Sequence, residues 1–420
     1  MRRLTLGADP AAVVVALRER AETAAAVERA VTEILADVRA RGDEAVRAHA
    51  LRLDGLELPE HYGLDPSELS AAWRAARPEL RVALKLAATN IRAYHTHERP
   101  EPWRETLAQG QVVGQEIVPL GVAGLYVPGG LANYPSSVLM TAIPAKVAGV
   151  ERVVVCSPPR AGAGVAAGVA AACELLGIGD LYPIGGAQAV AAMAFGTAVV
   201  PRCDVIVGPG NAYVTEAKRQ VMGEVRIDGL AGPSEVLIVA DAQGRPDWIA
   251  ADLLAQAEHG SGAMAALLDV GGELGDRVAD AVAELSAELG LPADHIALVT
   301  CPDLQAALDL VNAFAPEHLE LHVADAAALL PRVRNAGAVF VGPRAATAFG
   351  DYAAGTNHVL PTGGSARFGQ GLSVSDFVKR VGIVEMSEGA AAALVEPVAT
   401  IASEEGLRSH ARSVELRGRP

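Results

Sequence analysis

From about residue 112 to 345 the chain alternates short β-rich runs with Ala-rich helical ones, and few architectures accommodate that order. "EIVPLGVAGLYVP" reads as strand, "SSVLMTAIPAKVAG" as helix, "VERVVVCSP" as strand and "VAAGVAAACELLG" as helix. "DLYPIGG", "AQAVAAMAFGT", "CDVIVGPG" and "NAYVTEAKRQVMG" continue the pattern, and "VRIDGLAGPSEVLIVAD" adds a strand. A second block starts near 235: "EVLIVAD", a helix at 247–259, "AMAALLDV", a helix at 275–289, "HIALVT", a helix at 303–312, "LELHV", a helix at 325–335 and "GAVFVG". Strands joined through helices pair in parallel, with the helices covering both faces of the sheet. The expectation is an α/β fold of two doubly wound, Rossmann-like parallel-sheet domains. Residues 1–115 read as mostly helical, and the tail, 373–420, as helical with no sheet of its own.

Composition narrows the class of partner. The 420 residues are about half hydrophobic, enough for sizeable cores, with an ordinary charged fraction. A net charge of -15 argues against nucleic acid and anionic membrane, which both attract a basic face. The most apolar region, 162–200, is interrupted by Glu174, Asp180 and several glycines, so no membrane span is expected. The apolar run 11–17 is followed at once by Arg18, Glu19 and Arg20, with no small-residue cleavage site, and reads as a cytoplasmic start. Cys156, Cys173, Cys203 and Cys301 form no C-x-x-C pair, as suits reduced thiols. Cys156 ends the run "RVVVC" and reads as a core residue.

Glycine is concentrated in the loops "LYVPGG", "YPIGGAQAV" and "VIVGPGNAYV", each followed by a helix start. Open α/β sheets bind ligands beyond the carboxyl ends of their strands, so these loops read either as a nucleotide site or as ordinary turns. "GAGVAA" at 162–167 matches the dinucleotide fingerprint, but four residues separate it from its strand, too many for that tight turn.

In "DLLAQAEHG", Ile249, Leu253, Gln256 and Gly260 share one helical stripe, so Gln256 occupies an apolar position. Gln256 and His259 are spaced to face one ion, or to satisfy each other in a core. "FGDYAAGTNHVLPTGG" offers Asp351 and His358 in a Gly-rich loop, and "EEGLRSHARSV" offers Glu405 and His410. Such N and O donors suit zinc. Glu317 and His318 in "AFAPEHLEL" read as two acid/base groups at one centre, or as a surface dipeptide. His95 and His97, two apart at a helix end, do not share a face and read as a solvated pair.

Seven stretches in order, "LYVPGG", "GPGNAYVTEAKR", "DGLAGPSEVL", "AQAEHG", "APEHLEL", "GDYAAGTNHVLPT" and "GLSVSDFVK", resemble the histidinol dehydrogenase family from about residue 20 to the tail. The resemblance implies oxidation of L-histidinol to L-histidine with two NAD and one zinc per subunit. It implies a homodimer in which the tail of one subunit completes the partner's site. Position by position, it implies Gln256, His259, Asp351 and His410 as zinc ligands and Glu317 and His318 as the acid/base pair. Ser234, His358 and Glu405 would be substrate contacts, with Gln256, His259, His318, Asp351 and His410 also lining the substrate. Tyr126, Gln188 and Asn211 would contact NAD. Ala354 departs from the family's Ser, and only Glu405 fits the tail pattern Glu-x-Leu-x-x-His. The expected division is a helical segment at 1–21, a first Rossmann-like domain from 22–125 and 236–372, a second at 126–235, and a helical tail at 373–420. The rivals are a related dehydrogenase of another polar alcohol, a zinc hydrolase that would leave the glycine loops unexplained, and a two-domain solute-binding protein.

Overall fold

Fourteen strands cross the residues that the computed structural model describes, 1–7, 9–18, 24–129, 133–160, 164–260 and 262–418. They are β1 (Arg2–Thr5), β2 (Trp103–Thr106), β3 (Val112–Pro119), β4 (Val122–Tyr126), β5 (Arg152–Cys156), β6 (Asp180–Tyr182) and β7 (Val205–Val207). Then come β8 (Arg226–Ile227), β9 (Glu235–Ala240), β10 (Met264–Val270), β11 (Ile296–Cys301), β12 (His318–His322), β13 (Ala338–Val341) and β14 (Val378–Glu385). Two sheets are wholly parallel: β1-β11-β10-β9-β12-β13, and β6-β5-β4-β7-β8. Helices cover both faces of each, so the central strands are buried on both sides, polar residues of β12 included. All six residues of β9 and all five of β12 are buried. The expected α/β architecture of two parallel sheets is what forms.

The structure departs from the sequence reading at five places. Residues 2–5 form an edge strand on β11, where helix was expected; four residues with two arginines are too short to show a period, and the ladder supplies the order. "EIVPLGVAGLYVP" contains two strands of different sheets, broken at Leu120 and Gly121. The tail is not purely helical: β14 pairs antiparallel with β3, and β2 completes a three-stranded sheet. The helix expected at 325–335 ends at Leu329 and passes into a single 3-10 turn, because Pro331 cannot donate to an α-helical ladder. Finally, helices from residues 24–96 pack on the β4–β8 sheet, not on the sheet of β9–β13. Val31, Ile34 and Val38 share a core with Val154 and Ile206, and Leu84 and Ile91 share one with Val155 and Leu125. Leu6, Val13 and Leu17 pack on the six-stranded sheet instead.

Cys156 is buried in the core as expected, and the other three cysteines are also free and buried. His97 is exposed but His95 is wholly buried, against the expectation of a solvated pair. Its Nδ1 meets Glu98 Oε2 at 2.6 Å and its Nε2 meets Asn357 Nδ2 at 3.1 Å, because the helix end is covered by the loop carrying Asn357. Part of the 162–167 fingerprint lies outside the described residues. No described helix is long and apolar enough to cross a membrane.

Candidate active site

The two parallel sheets meet around a cavity of about 500 Å³. The β4–β8 sheet contributes the carboxyl ends of its strands: Tyr126 closes β4, and Gly210 and Asn211 lie in the turn after β7. The six-stranded sheet contributes its amino edge. Ser234 precedes β9, and Glu317 and His318 open β12. The general rule of ligand binding at carboxyl ends therefore holds for one sheet and is reversed in the other. The reversal has a physical consequence. Helices run back against the strands of such a sheet, so their C-termini reach its amino edge, and the negative end of the dipole favours a cation there. Helix Pro246–Ala257 ends in this way beside the cavity, with His259 in the turn beyond it. This helix ends two residues earlier than expected, and His259 N donates to Gln256 O at 3.2 Å as the chain leaves it.

His259, Asp351 and His358 line the same cavity as Glu317 and His318. Asp351 is not in a loop, as expected, but in the short helix Thr347–Tyr352. Its backbone O meets His358 Nδ1 at 2.9 Å. Gln256 is buried, and its Nε2 has no hydrogen-bond partner. An amide left so in a core costs free energy. Its oxygen is the atom it could offer to an ion, although Gln256 is not among the residues lining either cavity. A carboxylate, an imidazole and an amide oxygen suit zinc, so the residues present fit that ion.

Glu317 and His318 are both buried, so they are not a surface dipeptide. Glu317 Oε2 accepts from Ser234 Oγ at 2.6 Å and from Glu235 N at 2.8 Å. Burial nevertheless raises the Glu317 carboxyl above its ordinary range, with nearby His318 opposing. His318 Nδ1 meets the Glu235 carbonyl at 3.0 Å, and that bond makes Nδ1 the protonated nitrogen. His318 Nε2 has no hydrogen-bond partner and stands 3.6 Å from Asp351 Oδ1. Burial alone would lower the imidazole, but the Glu317 and Asp351 carboxylates outweigh it and hold His318 up to about 9. Burial lowers His358.

On the other wall, the turn "GPGN" is held from behind. Gly208 N donates to Asp228 Oδ2 at 2.7 Å, and buried Lys218 Nζ donates to Gly208 O at 3.0 Å while pairing with Asp228. Only glycine fits: φ at Gly208 is 113°, and a Cβ would lie 2.1 Å from Tyr126 O. Asn211 Oδ1 caps the following helix through Tyr213 N and Val214 N, each at 3.1 Å. Tyr126 Oη accepts from Gly186 N at 3.1 Å. Gln188 is not among the lining residues; it is buried, with Nε2 3.2 Å from Asp54 Oδ2 and Oε1 unpartnered. A second cavity of about 830 Å³ shares Asn211, Ser234 and His259 with the first.

Glu405 and His410 are not among the residues lining either cavity. Both are exposed on the tail, one capping helix Glu388–Glu404 and one in helix Arg408–Arg417. Sequence reasoning missed Ser137, whose Oγ lies 3.5 Å from His358 Nε2. The available signal was "YPSS", a helix start directly after a glycine loop. It also missed Glu235, whose carboxyl burial pushes up to about 7, with Arg18 opposing and Glu317 reinforcing.

Glu235 gives a stability prediction. Between pH 4.5 and 7 the folded chain keeps a proton there that the unfolded chain has released, so stability falls as pH rises through that window. Glu235→Gln removes this dependence. Relative to wild type, the variant should gain up to about 3 kcal/mol on going from pH 4.5 to 8. Urea unfolding at both pH values measures it; an equal difference at both contradicts a protonated Glu235.

The family model for histidinol dehydrogenase matches residues 17–418. The histidinol dehydrogenase of Moorella thermoacetica is 47% identical over 395 residues, covering 92% of this chain and 93% of that protein. That of Rhizobium meliloti is 47% identical over 419 residues, covering 97% and 95%. The crystal structure of histidinol dehydrogenase from Elizabethkingia anophelis superposes with a TM-score of 0.93 at 30% identity, covering 99% of this chain and 98% of that one. An acetylating aldehyde dehydrogenase from Geobacillus thermoglucosidasius, at 13% identity and a TM-score of 0.51 over 90% of this chain and 94% of that one, shares the fold alone.

Proposed function

Because the chain belongs to the histidinol dehydrogenase family, and so is an NAD-dependent oxidoreductase, we propose that it carries L-histidinol through the aldehyde to L-histidine, a four-electron oxidation with two NAD and one zinc per active site. The observation that carries this reading is the pairing of Glu317 with His318 in one cavity with His259 and Asp351; buried Gln256, with an unpartnered amide nitrogen, lies in the helix just before His259 but is not among the lining residues. The two oxidations need different proton chemistry, and the two side chains supply it. His318 Nε2 accepts the alcohol proton as hydride passes to the first NAD. Glu317 then takes a proton from water as the water oxygen attacks the aldehyde carbon, while protonated His318 returns its proton to the aldehyde oxygen, giving a gem-diol and freeing the imidazole to act again. His318 accepts the diol proton as the second hydride leaves, and the acid results.

Gln256, His259 and Asp351 would hold zinc, with His410 of the partner subunit as a fourth protein ligand. What bound zinc supplies is charge and orientation: it engages Asp351, whose carboxylate otherwise keeps a proton on His318, and it positions the substrate's nitrogens. Ser234, His358 and the partner's Glu405 would complete the substrate pocket. Tyr126 and Asn211 would meet NAD on the glycine-rich wall; Gln188, buried against Asp54 and outside the lining, would reach it only by turning from Asp54. The positive ends of the helices starting at Pro135 and Ala212 favour its phosphates.

The test is the yield of NADH per L-histidinol consumed, with and without a chelator. Two NADH, lost on chelation and restored by zinc, is the expected result; one NADH with free aldehyde, or none, overturns the four-electron reading. Glu317→Gln should separate the two steps. The aldehyde oxidation should fall by about 10²–10⁴-fold while the alcohol oxidation falls much less. Equal losses in both half-reactions contradict water activation by Glu317.

A further inference from the structure

Three elements carry the residues assigned above to the metal and the base: helix Pro246–Ala257 with Gln256, β12 with His318, and helix Thr347–Tyr352 with Asp351. One buried carboxyl touches all three. Glu320 lies two residues after His318, on the same side of β12. Its Oε1 accepts from Thr347 N at 2.8 Å and Thr347 Oγ at 2.7 Å, at the start of the Asp351 helix. Its carboxyl is within hydrogen-bonding reach of Asp252, one turn before Gln256 on its helix. His322 Nε2 reaches Glu320 Oε2 at 3.1 Å, and neither side chain is exposed.

We propose that Glu320 is a positioning residue, a buried brace that sets Gln256, His318 and Asp351 in register for the cation. Its contacts with Thr347 and Asp252 each lie one turn from a residue of the site, and Glu320 itself lies one alternate strand position from His318. A shift of the Asp351 helix or the Gln256 helix against β12 must break one of them. Two carboxyls in a dry place cannot both ionise cheaply. Burial and Glu320 together raise Asp252 accordingly. Asp252, Glu320 and His322 each offer a ligand atom within 4.8 Å of the others, a spacing open to a metal. Thr347 and His322 already occupy the two Glu320 oxygens, so the brace needs none.

Asp269 provides an internal control. It is a buried strand carboxylate that caps another helix of the same sheet, accepting from Leu274 N at 3.2 Å and Gly275 N at 2.7 Å. That helix, Gly275–Leu289, carries no residue of the site. The inference rests on the zinc assignment above, and the experiment separates the two. Zinc release to a chelating dye is followed for the wild-type holoenzyme, Glu320→Ala, Glu320→Gln, Asp252→Ala and Asp269→Ala, with Tm measured alongside. Glu320→Ala should weaken zinc retention about 10–100-fold, the usual cost of removing a group that orients metal ligands. Asp252→Ala, at a half-buried position and tolerable if Glu320→Ala does not fold, should weaken it in the same direction. Glu320→Gln, which still accepts from Thr347 and donates to Asp252, should restore retention to near wild type. Asp269→Ala should lower Tm and leave zinc unchanged. Wild-type retention in Glu320→Ala or Asp252→Ala, or equal zinc loss in Asp269→Ala, overturns the brace. A second equivalent of tightly held metal in wild type, missing from Glu320→Gln, overturns it in favour of a metal site. A wild-type protein that retains no zinc would instead fail the parent assignment.

Discussion

Replacing His318 with Asn should lower kcat by about 10²–10⁴-fold, the usual worth of a positioned general base, while zinc content and NAD affinity stay near wild type. The argument is geometric. His318 opens β12, an inner strand between β9 and β13, and its side chain is buried with 4% exposure. The bond from Nδ1 to the Glu235 carbonyl fixes the tautomer, and Nε2 is left without a hydrogen-bond partner at the cavity. Asparagine keeps an N–H that can reach the same carbonyl, so the packing survives and the base alone is removed. Steady-state rates paired with metal analysis decide it. A variant retaining a tenth or more of the wild-type kcat would remove His318 as the proton acceptor. Lost zinc together with lost rate would make His318 a structural support of the metal and not a base.

How much of this was legible in the sequence depended on the range of the interaction. Alternation of strand and helix is a local pattern, and it predicted both parallel sheets. What it could not say is which sheet a helix covers. The helix Ala24–Arg41 shows the right period for one buried face, yet nothing local to Val31 or Val38 indicates that the face meets Val154 rather than β9–β13. Short antiparallel pairing was equally hidden. β14 is held by β3 across more than 250 residues of chain, and most of its own residues are exposed, so it lacks an apolar signature. At the site the motifs located the residues, but their environments emerged only from packing. Glu317 and His318 look like a surface pair in "APEHLEL" because adjacent polar residues usually are; both are buried, since β12 is an inner strand whose two faces are covered by elements distant in sequence. His95 was misread for the same reason, since its cover comes from Asn357 far along the chain. Glu320 passed as an ordinary strand residue, and its partners Asp252 and Thr347 come from elements on either side of it in sequence.

Mixing two inactive variants should restore activity, because the residues assigned to one site fall in two groups that a single chain keeps apart. Glu317, His318, His259 and Asp351 line the cavity, while Glu405 and His410 stay exposed on the tail and line neither cavity. If each tail serves the partner's cavity, a dimer of one His318→Asn chain and one His410→Ala chain has one site with both defects and one with none. The intact site pairs the unmodified cavity of the His410→Ala chain with the unmodified tail of the other. Random reassortment makes half the dimers mixed, and half the sites in those are intact, so the mixture should regain about a quarter of the wild-type rate under two-fold symmetry. Each variant alone should stay about 10²-fold or more below wild type, one through the base and the other through the metal. The measurement is the rate after the two proteins are denatured together and refolded, against each refolded alone. A mixture no faster than the average of its parents would place the tail in its own chain's site, and would then require Glu405 and His410 to leave their exposed positions, where they line neither cavity.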